Sequence, residues 1–169
     1  MSLNEETVRM MLEFHCPRYQ ELPKLDLYMD QMLSITEEIL SPFADEEKGL
    51  TSHMVNNYVK QKLISAPVNK KYSRDQVANL VMVCFLKKIF SFSEIQRIVG
   101  LRYNSMEFAD VYNKFCAFLE EALCARFGGR ERSVPDNASE TESILRSVTS
   151  SLADKIYVQK YLEERKGQD

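Results

Sequence analysis

The sequence predicts an all-α, mainly helical fold, and three observations carry that expectation. Apolar residues recur at intervals of three and four, as in Phe108, Val111, Tyr112, Phe115, Phe118, Leu119, Ala122 and Leu123, which places them on one face of a helix. Ser73 with Gln76, Ser91 with Glu94 and Ser139 with Glu142 repeat the same spacing of a hydroxyl and a Glu or Gln, so each pair can cap a helix by satisfying N–H groups that the first turn leaves open. Residues 77–86 are apolar on every side except at Asn79, the pattern of a helix buried all round.

At 169 residues and 44% hydrophobic, the chain can bury one compact core, or a small core with helical appendages, which excludes disorder throughout. The first residues lack a basic segment followed by an apolar run, so no signal peptide is expected. Lys87 and Lys88 interrupt the longest apolar run well short of the roughly 18 residues a membrane helix needs. The expectation is a soluble, cytoplasmic protein with no membrane association. Cys16, Cys84, Cys116 and Cys124 form no CxxC pair and read as reduced, buried thiols. His15 beside Cys16 has no second His/Cys pair at ligand spacing, so no metal and no cofactor is expected.

Net charge is −3, but its distribution is uneven: residues 51–103 carry nine Lys or Arg against Asp75 and Glu94, a local +7, leaving −10 for the rest. A basic module between acidic arms is the sign pattern of one region that meets phosphate while the others stay solvated.

In chain order, residues 1–50 read as an N-terminal helical segment packing on the core. It contains a weak amphipathic piece at 6–14 and a break at Pro17 and Pro23. A helix follows from Leu25, ending before Pro42, and then a polar connector at 41–49. Thr51 caps a helix to Lys60 whose buried side is Met54, Val55, Tyr58 and Val59. Ser52, His53, Asn56, Asn57 and Lys60 fall opposite, a face rich in side chains that hydrogen-bond base edges or phosphates. This helix is too short to stand alone, so Leu63 and Ile64 must dock it. A loop at 65–72 with Pro67, Asn69, Lys70 and Lys71 leads to the buried helix, and a short helix after Ser91 stops at Gly100.

Residues 104–169 read as C-terminal helices. One starts at Asn104 or Ser105 and runs to about Arg126, a hinge follows near 128–138, and a last helix runs from Ser139 to about Lys166. The last helix carries one narrow apolar seam, with Ile144, Leu145, Val148, Leu152, Ile156, Tyr161 and Leu162, which calls for a covering surface. It can fold back on its own chain, but pairing with a second copy in a dimer is the favoured expectation. The row Phe108, Tyr112, Phe115 and Phe118 reads as core, and no small-molecule effector can be assigned.

The segments MVNNYVKQKLISAP, KKYSRDQVANL and FSFSEIQRIV resemble the DNA-binding domain of MerR-type regulators, a winged helix-turn-helix. Tyr58, Leu63, Ile64, Pro67, Lys70, Tyr72, Asp75, Leu80, Phe90, Ser91, Glu94 and Ile95 fall in order on that family's pattern. The chain departs from it at Asn56 and Asn57, where the family has Arg-Tyr, at Lys62, where it has a turn glycine, and in a shorter wing. The chain also looks like a bacterial family catalogued as a domain of unknown function, with DLYMDQ and NNYVK as its signature. The MerR resemblance implies a small winged helix-turn-helix-like core over 51–103 with a minimal two-stranded wing, and a homodimeric transcriptional regulator that binds double-stranded DNA. It implies contacts from Ser52, His53, Asn56, Asn57, Tyr58 and Lys60 in the major groove, and from Lys62, Lys70, Lys71, Tyr72 and Arg74 on the backbone. The competing reading is a non-enzymatic adaptor that uses the same core to bind protein. With two isolated histidines, no Gly-rich phosphate loop and no ligand cluster, no catalytic residues are assigned and the chain is not expected to be an enzyme.

Overall fold

The computed structural model describes residues 2–44, 49–101 and 106–166. It is mainly helical, with helices α1 (Glu5–Glu13), α2 (Met29–Leu40), α3 (Ser52–Lys60), α4 (Arg74–Leu86), α5 (Phe92–Gly100), α6 (Phe108–Gly128) and α7 (Glu140–Glu163). Strands β1 (Leu27–Tyr28) and β2 (Lys71–Tyr72) form one small antiparallel sheet. The chain divides into a central unit, Pro17–Asn113, and a terminal unit made of Met1–Cys16 with Lys114–Asp169. The boundaries therefore differ from the three consecutive segments read from the sequence: α1 joins the C-terminal helices, and the rest of the N-terminal segment joins the central unit.

In the central unit, α4 is the core. Every residue from Val77 to Leu86 is buried except Asn79, which is half-buried. The Ser73–Gln76 box opens the helix, with the Ser73 hydroxyl accepting from the Gln76 N–H and the Gln76 side chain accepting from the Ser73 N–H at 2.7 Å. The second capping box, Ser91–Glu94, opens α5, and Thr51 caps α3 through the Met54 N–H. Phe43 packs edge-on against Phe85 with ring centroids 5.2 Å apart, so the stretch after α2 is not wholly polar connector: its 3₁₀ turn, Ser41–Phe43, contributes to the core. Residues 25–28 also differ from the helical reading. Helix α2 starts only at Met29, and Leu27 and Tyr28 pair with Tyr72 and Lys71. The helical spacing of Leu25, Tyr28 and Met29 was compatible with either conformation; the exposed backbone of β2 selected the strand.

The terminal unit is a three-helix arrangement. Lys114 pairs with Glu142, Arg146 with Glu121 and Arg126 with Asp154, so α6 and α7 run side by side in the same direction. Helix α1 runs against them: the Asn4 N–H donates to Glu164 at the far end of α7, and the Leu12 carbonyl accepts from the Cys124 thiol. The connection after α6 is anchored rather than free, because the Arg132 guanidinium donates to the Phe118 and Arg146 carbonyls and to the Ser150 hydroxyl. Leu145, Val148, Leu152 and Ile156 of the α7 seam are buried within their own chain, whereas Tyr161 and Leu162 toward its end are exposed. Tyr112 and Phe115 are fully buried, as their helical spacing implied. The expected helix cap at Asn104 or Ser105 lies outside the described residues, and no described helix is long and apolar enough to cross a membrane.

Two stability predictions follow from these contacts. The Gln76 side-chain amide also donates to the Ser65 and Ala66 carbonyls at 2.8 and 2.9 Å; Gln76→Ala removes the cap partner and strands both acceptors, so urea unfolding should show a loss of about 2–4 kcal/mol. The Lys114 ammonium, 2.6 Å from Glu142, holds that carboxyl below its ordinary value. A carboxyl depressed in the fold stabilises above its unfolded value and loses that contribution as pH falls through the folded one. Lys114→Met should therefore flatten the acid limb of stability, measured as unfolding midpoint against pH.

Candidate nucleic-acid interface

Helix α3 presents one exposed edge. At 3.6 residues per turn, positions 52, 53, 56 and 60 lie within an arc of about 100°, and Ser52, His53, Asn56 and Lys60 are all exposed. Asn57 lies at the margin of the arc and is half-buried. Val55 and Tyr58 point the other way, into the core.

Tyr58 is held there by an edge-on contact with Phe92, ring centroids 5.9 Å apart, and its hydroxyl accepts from the Lys87 ammonium at 2.9 Å. Burial pushes its phenol above the ordinary value, partly offset by Lys87, and burial pushes Tyr72 in the same direction. With 3% and 2% of their surface exposed, Tyr58 and Tyr72 cannot be the surface contacts that their sequence positions implied. Their role is to seat α3 and the hairpin on the core.

The turn after α3 is a full Schellman motif: the Leu63 N–H donates to the Tyr58 carbonyl at 2.9 Å and the Lys62 N–H to the Val59 carbonyl at 3.0 Å. The motif puts Lys62 in the left-handed region, φ 59°, where glycine is favoured because it has no Cβ. From here the loop is tied down from below. The Asn79 amide donates to the Leu63 carbonyl at 2.7 Å, Gln76 holds the next carbonyls, and the Gln96 amide donates to the Gln61 carbonyl.

The loop at 65–72 is a hairpin. Val68 and Lys71 exchange two backbone hydrogen bonds of 3.0 Å across Asn69 and Lys70, whose φ values are 50° and 62°. Two left-handed central residues define a type I′ turn, for which Asn-Gly is the favoured pair. Here Asn69 suits the first position and Lys70 occupies the glycine position. Strand β1 pairs along the hairpin's second arm, and the Lys71 ammonium lies 5.1 Å from the centre of the exposed Tyr28 ring. Strand β1 was not anticipated from the sequence. Its one signal was the LDLY stretch just before α2.

Arg74 is more constrained than an exposed phosphate contact would be. Its Nε donates to the Pro23 carbonyl at 3.3 Å and its guanidinium lies 5.2 Å from the centre of the Tyr19 ring, while the Tyr19 hydroxyl donates to Asp75. Lys60, Lys62 and Lys70 are exposed and Lys71 is half-buried. Among the described residues, none of Lys60, Lys62, Lys70, Lys71 and Arg74 forms an ion pair, whereas in the terminal unit Lys114 pairs with Glu142 and Arg146 with Glu121. No cluster of three His, Cys, Asp or Glu suited to a metal occurs among the described residues.

Residues 17–115 match the model of a family described as a domain of unknown function, DUF1836. The matched range nearly coincides with the central unit, 17–113, which contains α3, its turn and the hairpin. No curated protein and no solved structure matches the chain.

The left-handed lysines yield a direct test. Lys70→Gly places the favoured Asn-Gly pair in the type I′ turn, so unfolding in urea should show a neutral change or a gain of up to about 1 kcal/mol. A loss of stability would mean that the Lys70 side chain itself supports the fold.

Proposed function

The chain belongs to the DUF1836 family, and for this member we propose a non-enzymatic regulator that binds double-stranded DNA through α3 and the hairpin at 68–71. The observation that carries the reading is a pair of lysines, Lys62 and Lys70, kept in left-handed turns where glycine fits better. Backbone strain of this kind costs of order 1–3 kcal/mol and collects at functional positions. A lysine retained at both sites, with no acidic partner among the described residues, supports a need for its charge at the surface. The resemblance to MerR-type domains supports the same surface independently of the backbone angles.

In this reading the exposed edge of α3 faces the major groove. Asn56 is placed to read adenine by a bidentate bond, a preference of about 1–3 kcal/mol over other bases. Lys60, Lys62, Lys70 and Lys71 supply affinity by releasing counterions from the backbone, a term independent of sequence. Arg74 acts by fixing the start of α4 beneath the hairpin. For the homodimer that the resemblance implies, Leu145, Val148, Leu152 and Ile156 of α7 are buried within the chain, which leaves exposed Tyr161 and Leu162 at the end of its seam for a partner.

One observation favours an adaptor instead. Val68 at the hairpin is 71% exposed, Tyr28 on β1 50% and Leu25 just before it 80%, and such side chains suit a protein partner. Selection of bound sequences from a random duplex pool, using the purified full chain with its mass measured in solution, separates the two readings. DNA binding predicts an enriched motif, two-fold symmetric for a dimer; absence of enrichment favours the adaptor.

The lysines give the sharper test. Charge reversal at both Lys70 and Lys71 to Glu should abolish the mobility shift of any duplex at physiological salt while circular dichroism stays unchanged. Lys70→Gly should reduce the slope of log affinity against log salt by about one. Undiminished duplex binding by the double variant would remove the hairpin from the interface.

A further inference from the structure

The terminal unit contains a pair of buried thiols that the proposed DNA surface does not use. Cys16, in the non-helical stretch that follows α1, directs its thiol at the sulfur of Cys116 on α6, 3.1 Å away, and both residues are completely buried. This is about 1 Å more than a disulfide bond of ~2.04 Å, a gap that small side-chain rotations can close. The backbone of Cys16 is fixed for the encounter. Its N–H donates to a Glu120 carboxylate oxygen at 2.9 Å, and the same oxygen lies 3.5 Å from His15 Nδ1. Glu120 is one turn beyond Cys116 on α6, so one helix face holds both the partner sulfur and the clamp on the Cys16 backbone.

We propose that Cys16 and Cys116 are a redox-active pair that closes reversibly to an intramolecular disulfide. The two positions directly flank the family-matched segment, residues 17–115, so the bond would close the chain into a covalent loop around that segment. The other two cysteines are poorly placed for such chemistry. Cys84 lies on the buried helix α4 of the central unit, where burial pushes its thiol up to about 11. Cys124 is half-exposed and engaged with the Leu12 carbonyl.

The oxidant class is a small peroxide, which can reach a buried pair during local opening of the non-helical residues around Cys16. One sulfur, as thiolate, attacks a peroxide oxygen: an S–O bond forms, the O–O bond breaks, and the departing hydroxide takes up that thiol's proton as water. The second sulfur then attacks the sulfenic sulfur: the S–S bond forms, the S–O bond breaks, and a second water leaves with the second thiol's proton. The two sulfurs together give up two electrons, and one peroxide is reduced to two waters.

The test treats the full chain with hydrogen peroxide and then maps it by mass spectrometry without reduction. The expected result is a monomer lighter by two hydrogens, about 2 Da, a linked peptide containing Cys16 and Cys116, and restoration by dithiothreitol. The oxidised chain should also melt at a higher temperature than the reduced one, because closing the loop restricts the unfolded chain. Cys16→Ala and Cys116→Ala should each abolish the intramolecular link, and if either fails to fold, the wild-type map decides alone. A link through Cys84 or Cys124, only intermolecular links, or sulfinic acid at Cys16 with no link would overturn the assignment. An oxidised chain that melts no higher than the reduced one would show that the fold does not accommodate the bond.

Discussion

Helix α4 sets the terms for everything in the central unit. A helix apolar on all sides has no solvent face and must be enclosed, so the surrounding elements are arranged around it rather than beside it. Such a helix leaves few polar side chains for other work, and both of those along its buried length are committed to the same segment. Gln76 holds the Ser65 and Ala66 carbonyls while closing the helix cap, and Asn79 holds the Leu63 carbonyl. Three carbonyls within four residues of irregular backbone, those of Leu63, Ser65 and Ala66, are thereby satisfied from below, which is what a loop lying on an apolar core requires. The turn after α3 and the base of the hairpin take their positions from that support.

That rigidity makes the left-handed lysines meaningful. In a mobile loop a positive φ would relax; here the Schellman hydrogen bonds fix Lys62, and the paired Val68–Lys71 bonds fix Asn69 and Lys70. Each turn type has a residue it prefers, and in two of them the chain carries lysine where glycine would relieve the backbone. The local gain from glycine is forgone and a charge is displayed instead. Because the neighbouring bases have no acidic partner among the described residues, the positive field of this edge is not cancelled locally, in contrast to the terminal unit, where bases and acids are matched across α6 and α7.

The two units differ in how they spend their polar side chains. In the terminal unit, ion pairs and the half-buried Arg132 fasten three helices and their return connection, and partial burial lowers the tendency of Arg132 to hold its charge. Its thiol pair lies beside a further polar contact, 3.5 Å between His15 Nδ1 and a Glu120 oxygen. In the central unit, amides hold the loop from below and Arg74, Lys87 and Lys88 donate to the Pro23 carbonyl, the Tyr58 hydroxyl and the Phe43 carbonyl, while the lysines at the edge have no acidic partner among the described residues. Charge segregation along the sequence therefore corresponds to a division of labour between units.

By itself the sequence determined the elements with strong local signals. The capping hydroxyls of Thr51, Ser73, Ser91 and Ser139 set helix starts, because capping acts within three residues. The all-round apolarity of residues 77–86 identified the core, and the alternation of Val55 and Tyr58 with Ser52, Asn56 and Lys60 identified the two faces of α3. The tertiary structure decided what depends on distant partners. Residues 27–28 became a strand because the Lys71–Tyr72 backbone offered pairing; Tyr58 and Tyr72 went inward because Phe92 and the core enclosed them; α7 found partners along α6; and Arg132 turned an apparent hinge into an anchored return. The approach of Cys16 to Cys116, a hundred residues apart, was illegible for the same reason: spacing along a chain says nothing about two sulfurs until the helices that carry them have packed.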